Sequence, residues 1–443
     1  MSLLNTRELP QEIIDFIIEG LHGDAGSASD YSEGTRDALI ACTQVSKCLR
    51  APARRMLFST LRITSTLNKN SGSVLEMVKA LLALFQESDT HPSDLFSIIQ
   101  KVHIDINMMA DESGLIKVLN LLCDNAFNLY GICLSGYQHQ PIVWGDKGLR
   151  TRRTIMKLCS TDGVDTLSFK DVDGLPVEII TKCAPLKSLE LVRVTFATSK
   201  AKPSKSKAAR SAVWAPSSLE NISIRGFIDE FGRVCSAVRA DLSNIKNIRA
   251  FIANGSDSGT VRDLTQMAAK SLKVLDLEYP RLDLEFMYRP HIDLGILTSL
   301  CTLRLRIDAS SRQSLPTATD VLRIIKRTTK PSNINVLELF YYSMDMVQSR
   351  TLDPKTSPTW PALHPDRLRE NLPRLSELYV RLDIRIRNAD WRQKTPQDLH
   401  SLGKEVEKEV EALICAPSEG ISRPLLGSAV RVDLIYAQEA TEA

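Results

Sequence analysis

Seven histidines and nine cysteines are the residues of this chain best able to hold a metal or attack a substrate, and their spacing argues against both uses. His22, His91, His103, His139, His291, His364 and His400 are scattered singly, so no pair stands at the helical or turn spacing that zinc ligation needs. Cys42, Cys48, Cys123, Cys133, Cys159, Cys183, Cys235, Cys301 and Cys415 are odd in number and include no CxxC pair. Most lie inside apolar periodic segments, which predicts buried reduced thiols rather than disulfides or a metal cluster. Phosphate and nucleophile motifs are missing too: there is no GxxxxGK followed by Ser or Thr, no HExxH, no GxSxG and no GxGxxG after a strand. "GSDSG", Gly255 to Gly259, has the wrong spacing for a nucleophile elbow and reads as a loop. Neither catalysis nor a cofactor is expected.

Binding is the remaining chemistry. Lysine and arginine number 56 against 53 acids, a net charge of +3, too near balance for the whole surface to attract a polyanion. The one basic run, Lys200, Lys202, Lys205, Lys207 and Arg210 within Thr198 to Ser218, is rich in Ser, Ala and Pro and reads as a disordered insertion. It lacks the interleaved aromatics that single-stranded nucleic acid stacks upon, so no nucleic-acid partner is expected. No stretch approaches the length of apolar residues that crosses a membrane, and the first residues lack the pattern of a secretory leader. A reducing compartment, cytoplasmic or nuclear, is the expectation.

What positions any binding face is a repeat. An apolar residue followed by others three and five residues on recurs in "LKSLELVRV" from Leu186, "LENISIRGF" from Leu219, "LKVLDLEYP" from Leu272, "LCTLRLRID" from Leu300, "INVLELFYY" from Ile334 and "LSELYVRLD" from Leu375. Weaker copies start at Phe58, Ile99, Leu129, Val164 and Ile245, making eleven units spaced by 22 to 41 residues. The last two apolar residues of each unit share one face of a strand. Helical periodicity lies between several units, at Val74 to Phe85, Leu115 to Phe127, Val261 to Lys270 and Ala318 to Thr328. A strand-then-helix unit cannot bury its apolar face alone and must stack on its neighbours, which predicts a solenoid. The pattern LxxLxL resembles the leucine-rich repeat, and the expected fold class is α/β with a curved parallel sheet lining a concave side. Where that family usually places Asn or Cys, this chain has Val194, Phe227, Pro280, Asp308, Tyr342 and Asp383, so no asparagine ladder is expected there.

The ends read differently. "LPQEIIDFIIEGL" puts Ile13, Ile14, Ile17, Ile18 and Leu21 on one helical stripe opened by Pro10. "RDALIACTQVSKCLRAPARRMLF" sets Leu39, Cys42, Val45 and Leu49 on a second stripe that breaks at Pro52. Together these stretches resemble the F-box, in the F-box-like form abundant in fungi; Leu9, Pro10, Glu12, Ile13, Ile17, Leu21, Cys42, Val45, Ser46, Lys47, Arg50, Ala53, Leu57 and Phe58 carry the pattern. Leu49 departs from it, standing where many members have Trp. At the other end, Thr395 to Ala416 reads as a helix with Leu399, Leu402, Val406, Val410 and Leu413 on one stripe, and Ala429 to Ala437 as a last strand.

The expected division is an F-box-like module over 1–57, the repeat array over 58–395 and a capping helix and strand over 396–443. The F-box resemblance implies a non-enzymatic substrate receptor of a cullin-based ubiquitin ligase. It implies that Leu9, Pro10, Ile13, Ile14, Ile17, Leu21, Cys42, Val45, Leu49 and Leu57 meet a Skp-type adaptor, while the array meets a protein substrate. The competing expectation is a repeat scaffold whose first helices are only a cap. Substrate would lie across strand residues facing away from the leucines, among them Arg193, Arg225, Glu278, Arg304, Arg306, Tyr379 and Arg381, although alternation alone makes such residues polar and solvated.

Overall fold

The computed structural model describes residues 33–45, 47–63, 79, 81–83, 96–105, 112–136, 140–197, 218–279, 292–308, 330–343, 368–386, 395–415 and 427–436. The opening helix stripe, the helix signal at Ala318 to Thr328, most of that at Val74 to Phe85 and the basic run lie outside them. The chain divides into two compact units, changing over between Asp173 and Gly174, with Lys182–Pro185 belonging to the first and Gly174–Thr181 to the second.

The first unit opens with a helical hairpin, α1 (Glu33–Val45) and α2 (Lys47–Ser59). Leu39 and Ala53 are its buried centre, and Cys42, Leu49, Met56 and Leu57 pack around them. The break expected at Pro52 does not occur. A proline deletes one backbone donor, and here that loss falls in a helix whose Pro52 and Ala53 are both buried, so packing carries the helix through.

Four strands follow in a parallel ladder: β1 (Thr60–Ile63), β2 (Lys101–Asp105), β3 (Gly131–Ser135) and β5 (Thr166–Leu175), each paired with the one before. Between them run α3 (Glu112–Asn125), which buries Leu115, Val118, Leu119 and Leu122, and α4 (Leu149–Cys159), which buries Ile155, Leu158 and Cys159. A two-residue strand, β4 (Ile142–Val143), pairs with Val172 and Asp173 at the far end of β5. Gly136 makes that turn possible, since a Cβ there would stand 2.6 Å from the Asp171 carbonyl oxygen and 2.9 Å from the Ile142 nitrogen.

The second unit continues the same grammar. After a four-residue helix α5 (Glu178–Thr181) come β6 (Ser188–Phe196), β7 (Asn221–Arg225), β8 (Asn247–Phe251), β9 (Val274–Tyr279), β10 (Thr302–Asp308), β11 (Val336–Ser343), β12 (Glu377–Ile386) and β13 (Gly427–Tyr436). From β7 onward each is parallel to its predecessor, in chain order. α6 (Ile228–Ala237) and α7 (Gly255–Met267) pack together behind β6 and β8, and α8 (Pro396–Cys415) buries Val406 and Val410 beside β13. The "GSDSG" loop is instead the first turns of α7: Asn254 accepts from the Asp257 backbone N–H while the Asp257 carboxylate accepts from the Asn254 N–H, a capping box that starts the helix six residues early.

The repeat is realised as expected: all eleven units have their strand, and in ten of them the starting residue and its partners three and five on are buried. The exception is the first, where Phe58 is exposed and Leu61 half-buried. One carbonyl per unit ties the stack together. The N–H groups of Asn247 and its predecessor both reach Glu220 O, those of Val274 and Lys273 reach Lys246 O, those of Thr302 and Cys301 reach Lys273 O, and the same pair recurs at the starts of β3, β5, β7, β11 and β12. At five of the eleven starts the residue before it adds a side-chain bond to a carbonyl of the preceding turn: Ser218 Oγ to Leu186 O, Ser271 Oγ to Ile245 O, Ser299 Oγ to Lys270 O, Asn333 Nδ2 to Thr298 O and Asn128 Nδ2 to Ser97 O. A polar ladder therefore exists, at the corner where strands begin rather than the one where they end. A parallel-strand array with an inward leucine face and helical returns is an α/β, leucine-rich-repeat-like solenoid.

Candidate protein-interaction face

Strand register turns alternation into rows. Buried apolar residues occupy every second position of the strands of the second unit, so the residues four and six beyond each start share the face opposite the core. The first row, from β7 to β13, reads Ser223, Arg249, Asp276, Arg304, Glu338, Tyr379, Ala429. The second reads Arg225, Phe251, Glu278, Arg306, Phe340, Arg381, Arg431. Arginines thus alternate with carboxylates from β8 to β11 in the first row, while arginines and aromatic residues surround the single carboxylate, Glu278, of the second.

The central acids are not solvated. Asp276 and Glu278 are only 6% and 8% exposed, because arginines and a tyrosine close over them. Arg306 Nε lies 2.9 and 3.2 Å from the two Asp276 oxygens and its Nη2 3.1 Å from Oδ2, a fork on a carboxylate. Glu278 Oε1 accepts from Arg225 Nη2 at 3.3 Å and from the Tyr342 hydroxyl at 3.2 Å, and its Oε2 from Arg249 Nη2 at 3.5 Å. Arg249 Nε stands 3.8 Å from Asp276, bridging the two. Arg304 forks onto Glu338 at 2.8 and 3.1 Å. The guanidinium groups of Arg225 and Arg306 each lie 4.8 Å over a ring, Phe251 and Phe340, which pins their planes. Tyr379 donates to Glu377 at 2.9 Å, and that bond raises the tyrosine pKa.

Arg193, inside β6 and one residue past its register with β7, has a left-handed backbone, φ 52°. The neighbouring Gly226 does the same at φ 77°, and a Cβ added there would stand 3.4 Å from Arg193 Cγ. Both residues lie seven beyond their unit's start. A left-handed arginine costs about 1–2 kcal/mol and bends a strand away from regular pairing, which re-aims its side chain.

Of the residues expected to meet a substrate, Arg225, Glu278, Arg304, Arg306, Tyr379 and Arg381 come together on these two rows, and Arg193 stands off them, within β6 beside Gly226. Arg249, Phe251, Phe340 and Tyr342 were not expected. Their signal was present: each of the first three lies four or six beyond a unit start, but Arg249 and Phe251 belong to the weak copy at Ile245. Of the adaptor set, Cys42, Leu49 and Leu57 pack within the helical hairpin; the side chain of Val45, and Leu9, Pro10, Ile13, Ile14, Ile17 and Leu21, lie outside the described residues.

The first unit carries a smaller polar face, where His103 Nε2 meets Ser135 Oγ at 2.7 Å and Cys133 Sγ meets Ser168 Oγ at 3.7 Å. Among the described residues no group of three His, Cys, Asp or Glu is placed to hold a metal, and no helix is long and apolar enough to cross a membrane.

No family model matches the chain, and neither does any curated protein. Solved structures do. It is similar to the leucine-rich repeat-containing protein LegL7 from Legionella pneumophila at 12% identity and a TM-score of 0.36, over 81% of this chain and 98% of that one. It is also similar to a chain of the Rad7 and Elc1 complex in yeast at 12% identity and a TM-score of 0.31, over 84% and 89%. At such scores these likenesses add nothing to the assignment, which rests on the strand order, register and buried leucines of the chain itself.

Proposed function

We propose that this chain is a non-enzymatic, repeat-based protein-interaction scaffold that serves as the substrate receptor of a cullin-based ubiquitin ligase. In this reading the N-terminal F-box-like helices dock on a Skp-type adaptor, and the polar strand face of the second unit takes a protein substrate. The observation that carries the scaffold reading is the pair of rows from β7 to β13, rich in arginine and aromatic residues, the types that dominate the energetic centres of protein interfaces. Support for the adaptor reading is narrower: a helical hairpin containing Cys42, Leu49 and Leu57 directly precedes the first strand.

That same packing favours a second reading. Cys42, Leu49 and Leu57 serve the hairpin's own core around Leu39 and Ala53, as they would in a plain cap on the array's end. The test is a pull-down of the full chain with a Skp-type adaptor, wild type beside Ile17→Asp, with circular dichroism on both. The receptor reading expects capture by wild type and loss in the folded variant. Absence of capture by either leaves the scaffold with a cap.

A further inference from the structure

We infer that the strand face of the second unit recognises an acidic protein segment, one presenting carboxylate side chains to Arg225, Arg249, Arg304 and Arg306; this deepens the scaffold reading and rests on it. Donor accounting comes first. A guanidinium has five N–H groups, and the hydrogen bonds described above use Nε and Nη2 of Arg304 and Arg306, and Nη2 alone of Arg225 and Arg249. The Nη1 groups of all four, and Nε of Arg225, are not engaged by those carboxylates, and Arg225, Arg249 and Arg304 are 39% to 53% exposed at the side chain. Carboxylates hold all four guanidinium groups and aromatic rings stack on those of Arg225 and Arg306, so the spare donors are offered from fixed positions to an oxyanion arriving from solvent.

Charge points the same way. The two rows from β7 to β13 hold six arginines against three carboxylates, Asp276, Glu278 and Glu338. All six cations are arginine, although the chain contains 23 lysines to 33 arginines. A merely solvated face has no need of that choice, whereas bidentate, stacked recognition of a carboxylate does. What the face excludes is a continuous polyanion. The next register row carries Asp308, Asp383 and Asp433, which places acids alongside the arginines and repels a phosphate backbone running across the strands. Alternating acids in an extended protein segment meet no such obstacle.

The experiment is a fluorescence anisotropy titration of the full chain with a labelled alternating Glu-Ala peptide, its Gln-Ala twin and an oligothymidylate of equal length. It is repeated on the double variant Arg225→Lys, Arg304→Lys, which keeps both charges and loses the fork of Arg304 and the planar, ring-stacked guanidinium of Arg225. The expected result is binding of the Glu-Ala peptide alone, weakened roughly tenfold or more in the double variant, whose circular dichroism is unchanged. Three results overturn the inference: no binding of the Glu-Ala peptide by wild type, equal binding by the lysine variant, or oligothymidylate binding as tightly, which would make the face a general polyanion site. The adaptor pull-down is independent of all three. Adaptor capture without peptide binding sinks only this inference, and peptide binding without adaptor capture sinks only the receptor role.

Discussion

Arg304 and Arg306 stand two residues apart on β10, each forked on an acid of a neighbouring strand, yet their removal should differ. Asp276, the partner of Arg306, is almost wholly buried, so Arg306→Ala leaves a carboxylate without its main partner and should cost about 2–4 kcal/mol. Glu338 is less enclosed and Arg304 more exposed, so Arg304→Ala should cost about 1 kcal/mol or less. Urea unfolding of both variants checks the order. Gly226→Ala forces a side chain into a left-handed backbone and should lower the unfolding free energy by about 1–2 kcal/mol, read from the same titration. At this scale the sequence was legible in identity and not in environment. Alternation placed Asp276 and Glu278 on the outward face, but their burial depends on which residues the adjacent strands bring beside them. Arg249 sits in the faint unit at Ile245, and Tyr342 lies eight residues beyond its start, outside the alternation that was counted.

Elements were legible where apolar spacing alone decides them. Ten of eleven units bury all three marked residues because a parallel strand covered by helical returns has little choice, and the terminal helix and strand, α8 and β13, follow for the same reason. Local bonding defeated the reading elsewhere. Two glycines and two serines suggested a loop at Gly255, but the Asn254–Asp257 box outweighs their weak helix propensity. Asn254→Ala should therefore cost about 1 kcal/mol and fray the first turn of α7, seen as faster amide exchange confined to that turn. β4 is too short for any periodicity to show. A small polar residue before five unit starts is visible at Ser218, Ser271, Ser299, Asn333 and Asn128, yet its use follows only once the stacking is known. Ser271→Ala should cost about 1 kcal/mol by leaving the Ile245 carbonyl one donor short, measured by thermal unfolding.

For the molecule as a whole, the expectation of reduced thiols acquires a measurable form. Cys159, Cys183 and Cys235 are buried, and burial pushes their thiols up, Cys183 to about 11 and Cys235 to about 12. They should resist iodoacetamide at neutral pH in the folded protein and react once it is unfolded, a difference mass spectrometry reads directly. The raised values also fix the sign of an alkaline effect. The unfolded chain ionises these thiols near 9.0, before the folded one does, so their contribution to stability is intact below that pH. It is lost progressively as pH rises towards 11 to 12. The carbonyl that each unit lends to the next has a mechanical meaning as well. Every strand from β7 to β13 pairs with its neighbours in chain order, so the second unit is a series of turns that can be released one by one from its end. Drawn out from its C-terminal end in an optical trap, it should lengthen as a staircase, each step freeing one repeat and roughly 100 Å of chain.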